Sequence, residues 1–537
     1  MRNGNIAAPR LPSAVWFAVF FAAIFLLHSR LLNLPYFWDE AGYYVPAARD
    51  LFLDGSLIPH STPSNAHPPL VLAYLAVCWK IAGYAPAVTR TAMLLLAAFS
   101  LLGIFRLANR VANFEVAAAS TVCTALYPVF FAQSSLAHVD LAAAGLSLWG
   151  LLAFLEKRRV AAALWFSLAV LSKETAILAP LAILGWELAS RWFGIGFQKH
   201  SAGDVAKTAS VGRWQRLIPL LIPVVPIALW YAYHYARTGY LFGNPEFFRY
   251  NVQATADPLR ILLALGIRLW QTFGYLGLYL LTLAALLAMC RPPVRSNGQE
   301  RERIALHVQF TFLSVVIAYL VAMSVVGGAE LARYMLFAVP LVIIICVSTL
   351  WRRAMYWQGV VVIVCLAFAA NLFVNPPYGL SLEDNLAYRD YIILHQHAEQ
   401  FAEARYPMAR VLTAWPASDE ISHPYLGYVT RPMRVVRIED FSAEQILSAS
   451  DLRSTFDIAL VFSTKYEPLH PWFENWSIVQ QWKARFFGYH RDLLPAAAAQ
   501  ILGGTLVYTE HLDGQWVGLI EMNPVHEAQA TVPRRGP

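Results

Sequence analysis

Residues 11–44 read LPSAVWFAVFFAAIFLLHSRLLNLPYFWDEAGYY. From Leu11 to Leu32 the stretch is almost wholly apolar, with Arg30 its single full charge. About 20 such residues cross the ~30 Å hydrocarbon core of a bilayer, so the stretch predicts a membrane helix. Just beyond it stand Trp38, Asp39 and Glu40, two carboxylates delivered to a membrane face by a helix end. A cleavable leader would be shorter and would end in small residues. This run is long and is followed by others, so it reads as a retained first helix.

Apolar runs of that kind recur as far as Phe373. Of 537 residues 58% are hydrophobic and only 14% charged, and the mean hydropathy is +0.47. One soluble core cannot hide that much apolar surface, so lipid is the solvent for much of the chain. The net charge of +7 sits in short basic loops of the kind that set membrane orientation. No basic, aromatic-interleaved groove points to nucleic acid. Cys78, Cys123, Cys290, Cys346 and Cys365 all fall in apolar stretches and form no CxxC pair, which implies neither a metal knot nor a disulfide framework.

The basic groups fix the expected topology. They are Arg2/Arg10, Arg106/Arg110, Lys157–Arg159, a loop from Arg191 to Arg216, another from Arg291 to Arg303, and Arg352/Arg353. If all are cytoplasmic, the spans between them come in pairs. The apolar stretch Pro68–Ala82 is short and reads as a juxtamembrane or re-entrant piece of a long first outer loop, about 33–87. Further spans are expected at Ala87–Ala108, Val116–Gln133, Leu136–Leu155, Val160–Leu171 and Ala176–Phe193. Beyond these come Leu217–Tyr235, Leu259–Met289, Ile304–Val326, Leu331–Leu350 and Gln358–Phe373. The count is about eleven, with a cytoplasmic N-terminus and an outer C-terminus, in a plasma or inner membrane. That parity gathers Asp39, Glu40, His67, Asp140, Lys173, Glu174, Arg237, Glu330 and Arg333 at the outer face. Ionisable groups at membrane depth face a cavity or one another.

From Asn375 to Pro537 the composition turns ordinary. Val411–Trp415, Val435–Ile438, Ile458–Phe462, Leu506–Thr509 and Trp516–Ile520 read as strands by β-branched and aromatic content. Asn385–Arg405 and Ser442–Ser450 read as helices. The expectation is a membrane domain over 1–374 and a soluble α/β domain over 375–537 on the outer face, ending in a disordered tail from Thr531.

Five short motifs carry chemistry. Asp39 and Glu40 could serve as a general base that takes a proton from an attacking hydroxyl, or as solvated helix-end acids. His67-Pro68-Pro69-Leu70 stiffens the chain before a helix, with an imidazole able to meet a phosphate or a sugar. His138-Val139-Asp140 opens a helix, so Asp140 could cap it or act as a second site carboxylate that orients an acceptor. Lys173, in Leu171-Ser172-Lys173-Glu174, could neutralise a phosphate leaving group, or pair with Glu174 as an interfacial snorkel. Arg333 offers bidentate phosphate geometry beside Tyr334, itself a residue type of the interfacial belt.

Taken in order along the chain, these motifs resemble the GT-C superfamily of glycosyltransferases, and within it the branch holding the protein O-mannosyltransferases and the lipid A aminoarabinose transferases. The resemblance covers about Leu11–Leu350. It implies a polytopic α-helical fold and transfer of a sugar from a polyprenyl-phosphate carrier to a hydroxyl of an envelope glycan, lipid or protein, with inversion. Asp39, Glu40 and Asp140 would be catalytic. His67, Lys173, Arg333 and Tyr334 would hold the donor phosphate, and His138 and Glu174 would orient the acceptor. Where the aminoarabinose branch has a lysine before its prolines, this chain has His67, which is cationic only when protonated. No inter-span loop is long enough for the mannosyltransferases' inserted domain. A divalent cation could sit at Asp39 and Asp140, though no ligand set demands one. A flippase or transporter of the same lipid-linked substrate, or a non-catalytic assembly protein, are the other classes; paired halves with broken helices would mark a transporter.

Overall fold

The computed structural model describes residues 11–192, 217–243, 245, 257–296, 298–326, 328–468, 470–473 and 475–523. The expected tail from Thr531 and most of the basic loop Arg191–Arg216 lie outside the described residues. By internal contacts the chain divides into two compact units: Met1–Arg389 with Arg485–Phe487, and Asp390–Ala484 with Gly488–Pro537.

The first unit is helical. Helix α1 (Ser13–His28) carries no acid or base before His28 and buries only Ile24 and His28 along its length, the pattern of a helix whose surroundings are apolar on nearly every side. After it, α2 (Val45–Asp54) and α3 (Leu70–Ala82) lie in the long loop that precedes α4. Helix α4 (Pro86–Val111) has proline at its first position, where the missing N–H costs nothing. It packs on α1, on α5 (Phe114–Leu126) and on α7 (Asp140–Leu155). The approach of α7 to α4 is close because α7 is rich in alanine and glycine: a Cβ at Gly145 would fall 1.9 Å from Ser100 Oγ. Small residues let backbones meet in lipid, where dispersion rather than the hydrophobic effect drives helix pairing. α7 packs in turn on α8 (Arg159–Ser172), which leads through a 3₁₀ turn, Glu174–Ile177, into α9 (Leu178–Trp192).

Five helical stretches are long and apolar enough to cross a membrane: Ser13–Leu31, Pro86–Val111, Leu217–Thr238, Pro258–Met289 and Leu306–Val325. Shorter apolar helices include Leu70–Ala82, Phe114–Leu126, Asp140–Leu155, Arg159–Ser172 and Trp357–Phe373. Two stretches read as single spans are broken. Pro128 lacks an N–H, so the chain leaves the helix at Tyr127 (φ −58°, ψ 123°) and a short helix α6 (Pro128–Gln133) restarts there. At 275–277 the backbone turns through Leu276 (φ 48°) and Gly277 (φ 90°), separating the helices Pro258–Phe273 and Leu278–Met289.

The second unit holds a five-stranded mixed sheet. Its strands are β1 (Arg410–Ala414), β2 (Arg434–Ile438), β3 (Ile458–Phe462), β4 (Gly504–Leu512) and β5 (Gln515–Met522). Their order is β2-β1-β3-β5-β4. β1 runs parallel to β2 and β3, while β5 runs antiparallel to β3 and β4. β3 is buried at every position, as a central strand covered on both faces must be. The five strands and the helices Ala387–Arg405 and Ala443–Ser450 match the sequence reading within three residues at each end.

Candidate active site

The loop after α1 positions Asp39 under strain. Trp38 adopts φ 43°, a left-handed conformation that costs a bulky L residue free energy and collects at functional sites. A π-helical turn, Glu40–Tyr44, follows, another geometry frequent at such sites. Asp39 Oδ2 accepts from Arg333 Nη2 at 2.5 Å, and its side chain is 20% exposed.

The next residue has a different environment. Glu40 is fully buried. Its Oε1 accepts from Arg90 Nη1 at 2.6 Å and from the Ala137 amide at 2.5 Å, and its Oε2 accepts from the Phe37 amide at 2.8 Å. Every lone-pair direction that matters is taken by the protein. Glu40 ties the loop to α4 through Arg90.

Arg333, in a 3₁₀ turn at Ala332–Met335, is the centre of that group. Its guanidinium meets Asp39, Glu383 Oε2 at 2.5 Å from Nη1, and Asp140 Oδ2 at 3.3 Å from Nε. Asp140 Oδ1 takes the ammonium of Lys173 at 2.5 Å. Asp140 is the first residue of α7, whose N-cap position is Val139, and its carboxylate is directed at Lys173 and Arg333. Lys173 lies 4.0 Å above the ring of Tyr334, and the guanidinium of Arg268 lies 5.4 Å from the same ring. A tyrosine face that stabilises cations also holds them in place.

His138 Nδ1 lies 2.8 Å from Gln133 Oε1 and 3.1 Å from Arg333 Nη1; it can donate to the first or accept from the second. His67 stands slightly apart. Its Nδ1 pairs with Glu174 Oε2 at 2.8 Å, and its ring stacks on Tyr44, which also packs against His138. Burial pushes the Glu174 carboxyl up, but His67 and Lys173 pull it further down, to about 2. The structure thus brings Asp39, Asp140, Lys173, Arg333, Tyr334 and His138 into one cluster, sets His67 and Glu174 beside it as a pair, and assigns Glu40 to the loop's internal support.

Three residues of the site were absent from the sequence reading. Glu383 lies past the last apolar run. Burial, and the nearby Asp39 carboxylate against the pull of Arg333, push it up to about 8. Arg268 and Arg260 are buried on the helix Pro258–Phe273, where the Arg268 guanidinium forms an ion pair with Glu330, Nη2 lying 2.8 Å from Oε2. Their signal was legible: an arginine in mid-span is costly unless it has partners in the protein. Glu383 gave a weaker one, an acid pair some ten residues past the last span.

The cluster keeps bonding capacity in reserve. Among the described residues Glu383 Oε1 and His138 Nε2 are buried without a hydrogen-bond partner. Buried polar atoms are seldom left so, and a polar ligand would satisfy them. Asp39, His138 and Glu383 bring one ligand atom each within 4.8 Å of one another, a different set from the Asp39–Asp140 pair expected for a cation. Arg333, however, already lies between Asp39 and Glu383 and supplies the positive charge a metal would bring.

Residues 66–199 match the family model of the dolichyl-phosphate-mannose-protein mannosyltransferases. No curated protein matches the sequence. The structure of ArnT from Cupriavidus metallidurans in the apo state aligns over 96% of this chain and 100% of its own, at 14% identity and TM-score 0.54. The same enzyme bound to undecaprenyl phosphate aligns over the same shares at 14% identity and TM-score 0.53. The fold is therefore that of ArnT, carried by a multi-pass membrane protein. The matched segment is similar to the protein mannosyltransferases, and the fold is similar to that of ArnT.

Proposed function

We propose that this protein is an inverting glycosyltransferase that moves a sugar from a polyprenyl-phosphate carrier to a hydroxyl of an envelope acceptor on the outer side of the membrane. The observation that carries the reading is the sharing of one guanidinium, Arg333, by Asp39, Asp140 and Glu383 next to Lys173. Support comes also from the relative of the same fold that was solved with undecaprenyl phosphate.

In this reading Asp39 is the base. One of its oxygens is fixed by Arg333 and its side chain is partly exposed, so an acceptor hydroxyl can reach the other. The hydroxyl oxygen forms a bond to the anomeric carbon and its proton passes to Asp39. The bond from that carbon to the phosphate oxygen breaks, and the carrier leaves as its phosphate. Lys173 and Arg333 stabilise the charge growing on that oxygen, and their fixed positions remove the cost of reorganising around it. His67 and Tyr334 border the phosphate, while His138 and Glu174 orient the acceptor. The N-terminus is cytoplasmic and the C-terminal domain lies outside.

The test is transfer from a panel of polyprenyl-phosphate sugars by the purified full chain in liposomes. Wild type should consume one of them. Asp39→Asn should lose about 10²–10⁴-fold in rate while melting at the wild-type temperature. Full transfer by Asp39→Asn, or no consumption of any such donor by wild type, would overturn the reading. Mass spectrometry of envelope glycans with and without the gene then identifies sugar and acceptor.

A further inference from the structure

The second unit buries a group that the transfer reaction does not use. His395 and Glu399 stand one helical turn apart on the helix Ala387–Arg405, hence on one face. Glu420 ends the short helix Ala417–Glu420 that follows β1. Glu399 and Glu420 are 0% exposed and His395 is 1% exposed. Around them are Tyr391, stacked on the imidazole with ring centres 3.8 Å apart, and Phe462, edge-on at 4.5 Å. Among the described residues no lysine or arginine pairs with either glutamate. Two carboxylates cannot both stay ionised in such surroundings without a cation.

The geometry points to which cation. His395 Nδ1 lies 3.3 Å from Glu399 Oε1 and 2.7 Å from Glu420 Oε2, and one ligand atom from each of the three falls within 4.8 Å of the others. Bonds of about 2.0–2.1 Å in a tetrahedron set ligand atoms about 3.3 Å apart, so the first contact needs no change and the second a small opening. The second oxygen of Glu399 is buried with no hydrogen-bond partner, as a bidentate ligand atom would be. Tyr391 donates its hydroxyl to Glu420 Oε1 at 3.4 Å, orienting that carboxylate as groups behind a metal ligand do.

We propose that His395, Glu399 and Glu420 bind one divalent cation of the zinc class, which clips the helix Ala387–Arg405 to the turn that follows β1. One imidazole and two carboxylates, closed off from solvent, make a structural site rather than a catalytic one. The competing arrangement is a proton shared by the two glutamates, with which the upward push of burial and Glu420 on the Glu399 carboxyl would also agree.

Zinc binding by the chelator-treated, purified full chain separates the two. Wild type should take up one Zn²⁺ that Asp39→Asn keeps and that Glu399→Gln and His395→Gln bind more than about 100-fold more weakly. Zn²⁺ should raise the melting temperature of wild type and leave that of Glu399→Gln unchanged. Glutamine mimics a protonated glutamate, so a shared proton predicts the reverse: Glu399→Gln as stable as wild type, with identical zinc uptake. That result, or a wild-type melting temperature indifferent to chelation and to Zn²⁺, overturns the proposal. If neither variant folds, the response of wild type to chelation and re-addition decides alone.

Discussion

Two buried arginines stand close to one loop of this protein, and they are used in opposite ways. Arg90 faces a single carboxylate, Glu40, and fills its fork with the Ser135 and Pro35 carbonyls at 3.0 and 2.7 Å. Arg333 faces three carboxylates, with Lys173 close behind, and the cluster retains buried polar atoms that bond nothing in the protein. In the first arrangement one carboxylate and two carbonyls take both terminal nitrogens of the arginine, and its Nε is left without a hydrogen-bond partner. The second has more charge than the fold needs and an opening at Asp39. Asp39 and Glu40 are neighbours in sequence and alike in chemistry, but they meet different arginines and differ in exposure, and in the proposed reading that difference separates support from reactivity.

That contrast breaks first at Arg333. Arg333→Lys keeps the charge but loses the planar fork that three carboxylates share. Transfer should fall about 10³-fold, measured as single-turnover rate with donor saturating. A loss under tenfold would mean that any cation suffices and that the fork is incidental.

Glu40→Gln attacks the other side of the comparison. Leaving Arg90 buried without its counter-ion should cost about 3 kcal/mol in stability, read as a lower melting temperature in detergent. The rate per folded molecule should stay within a few-fold of wild type. A Glu40→Gln protein that folds normally but is inactive would make Glu40 part of the chemistry and erase the distinction.

Lys173→Met is the milder test of the reactive cluster. It removes a cation held by Asp140 and by the Tyr334 ring, and should lower kcat/KM for the donor about 10–100-fold. The loss should weigh more on donor than on acceptor concentration dependence. An effect confined to the acceptor would move Lys173 to the other substrate.

Much of this could be read from residues alone, and the boundary is physical. The membrane helices announced themselves through composition, because lipid tolerates few charges. The five strands of the second unit were legible because β3 and its neighbours are rich in β-branched residues between turn signals. Asp39, Asp140, Lys173 and Arg333 stood out as ionisable groups beside apolar runs. Their mutual contacts did not, since Arg333 meets Asp39 across 294 positions of sequence. Pairing could not be read either for Arg90 with Glu40 or for Glu383 with Arg333, so support and reactivity looked alike in sequence. Glu383 also follows the point at 374/375 where composition changes, although the chain up to Arg389 packs with the first unit. The helix breaks at Pro128 and at 275–277 were written in proline and glycine but were masked by the apolarity around them.

The finest expected effect concerns Glu383. Its carboxyl is pushed from an ordinary 4.5 up to about 8. Between those values the unfolded chain has released the proton and the folded chain retains it, so stability falls as pH rises, by about 1 kcal/mol per unit. Asp384, pushed up to about 7 with burial as the leading cause, slopes the same way, so the informative quantity is the difference between wild type and Glu383→Gln. Glutamine copies the neutral acid, and melting temperatures of the variant should decline less steeply from pH 5 to 8 and lie above wild type beyond pH 8. Near pH 7 the variant should transfer sugar at close to the wild-type rate, because the proton leaves Arg333 and Lys173 balanced by Asp39 and Asp140 alone. Equal slopes for the two proteins would mean that Glu383 is ionised throughout, with the pull of Arg333 outweighing the push of burial.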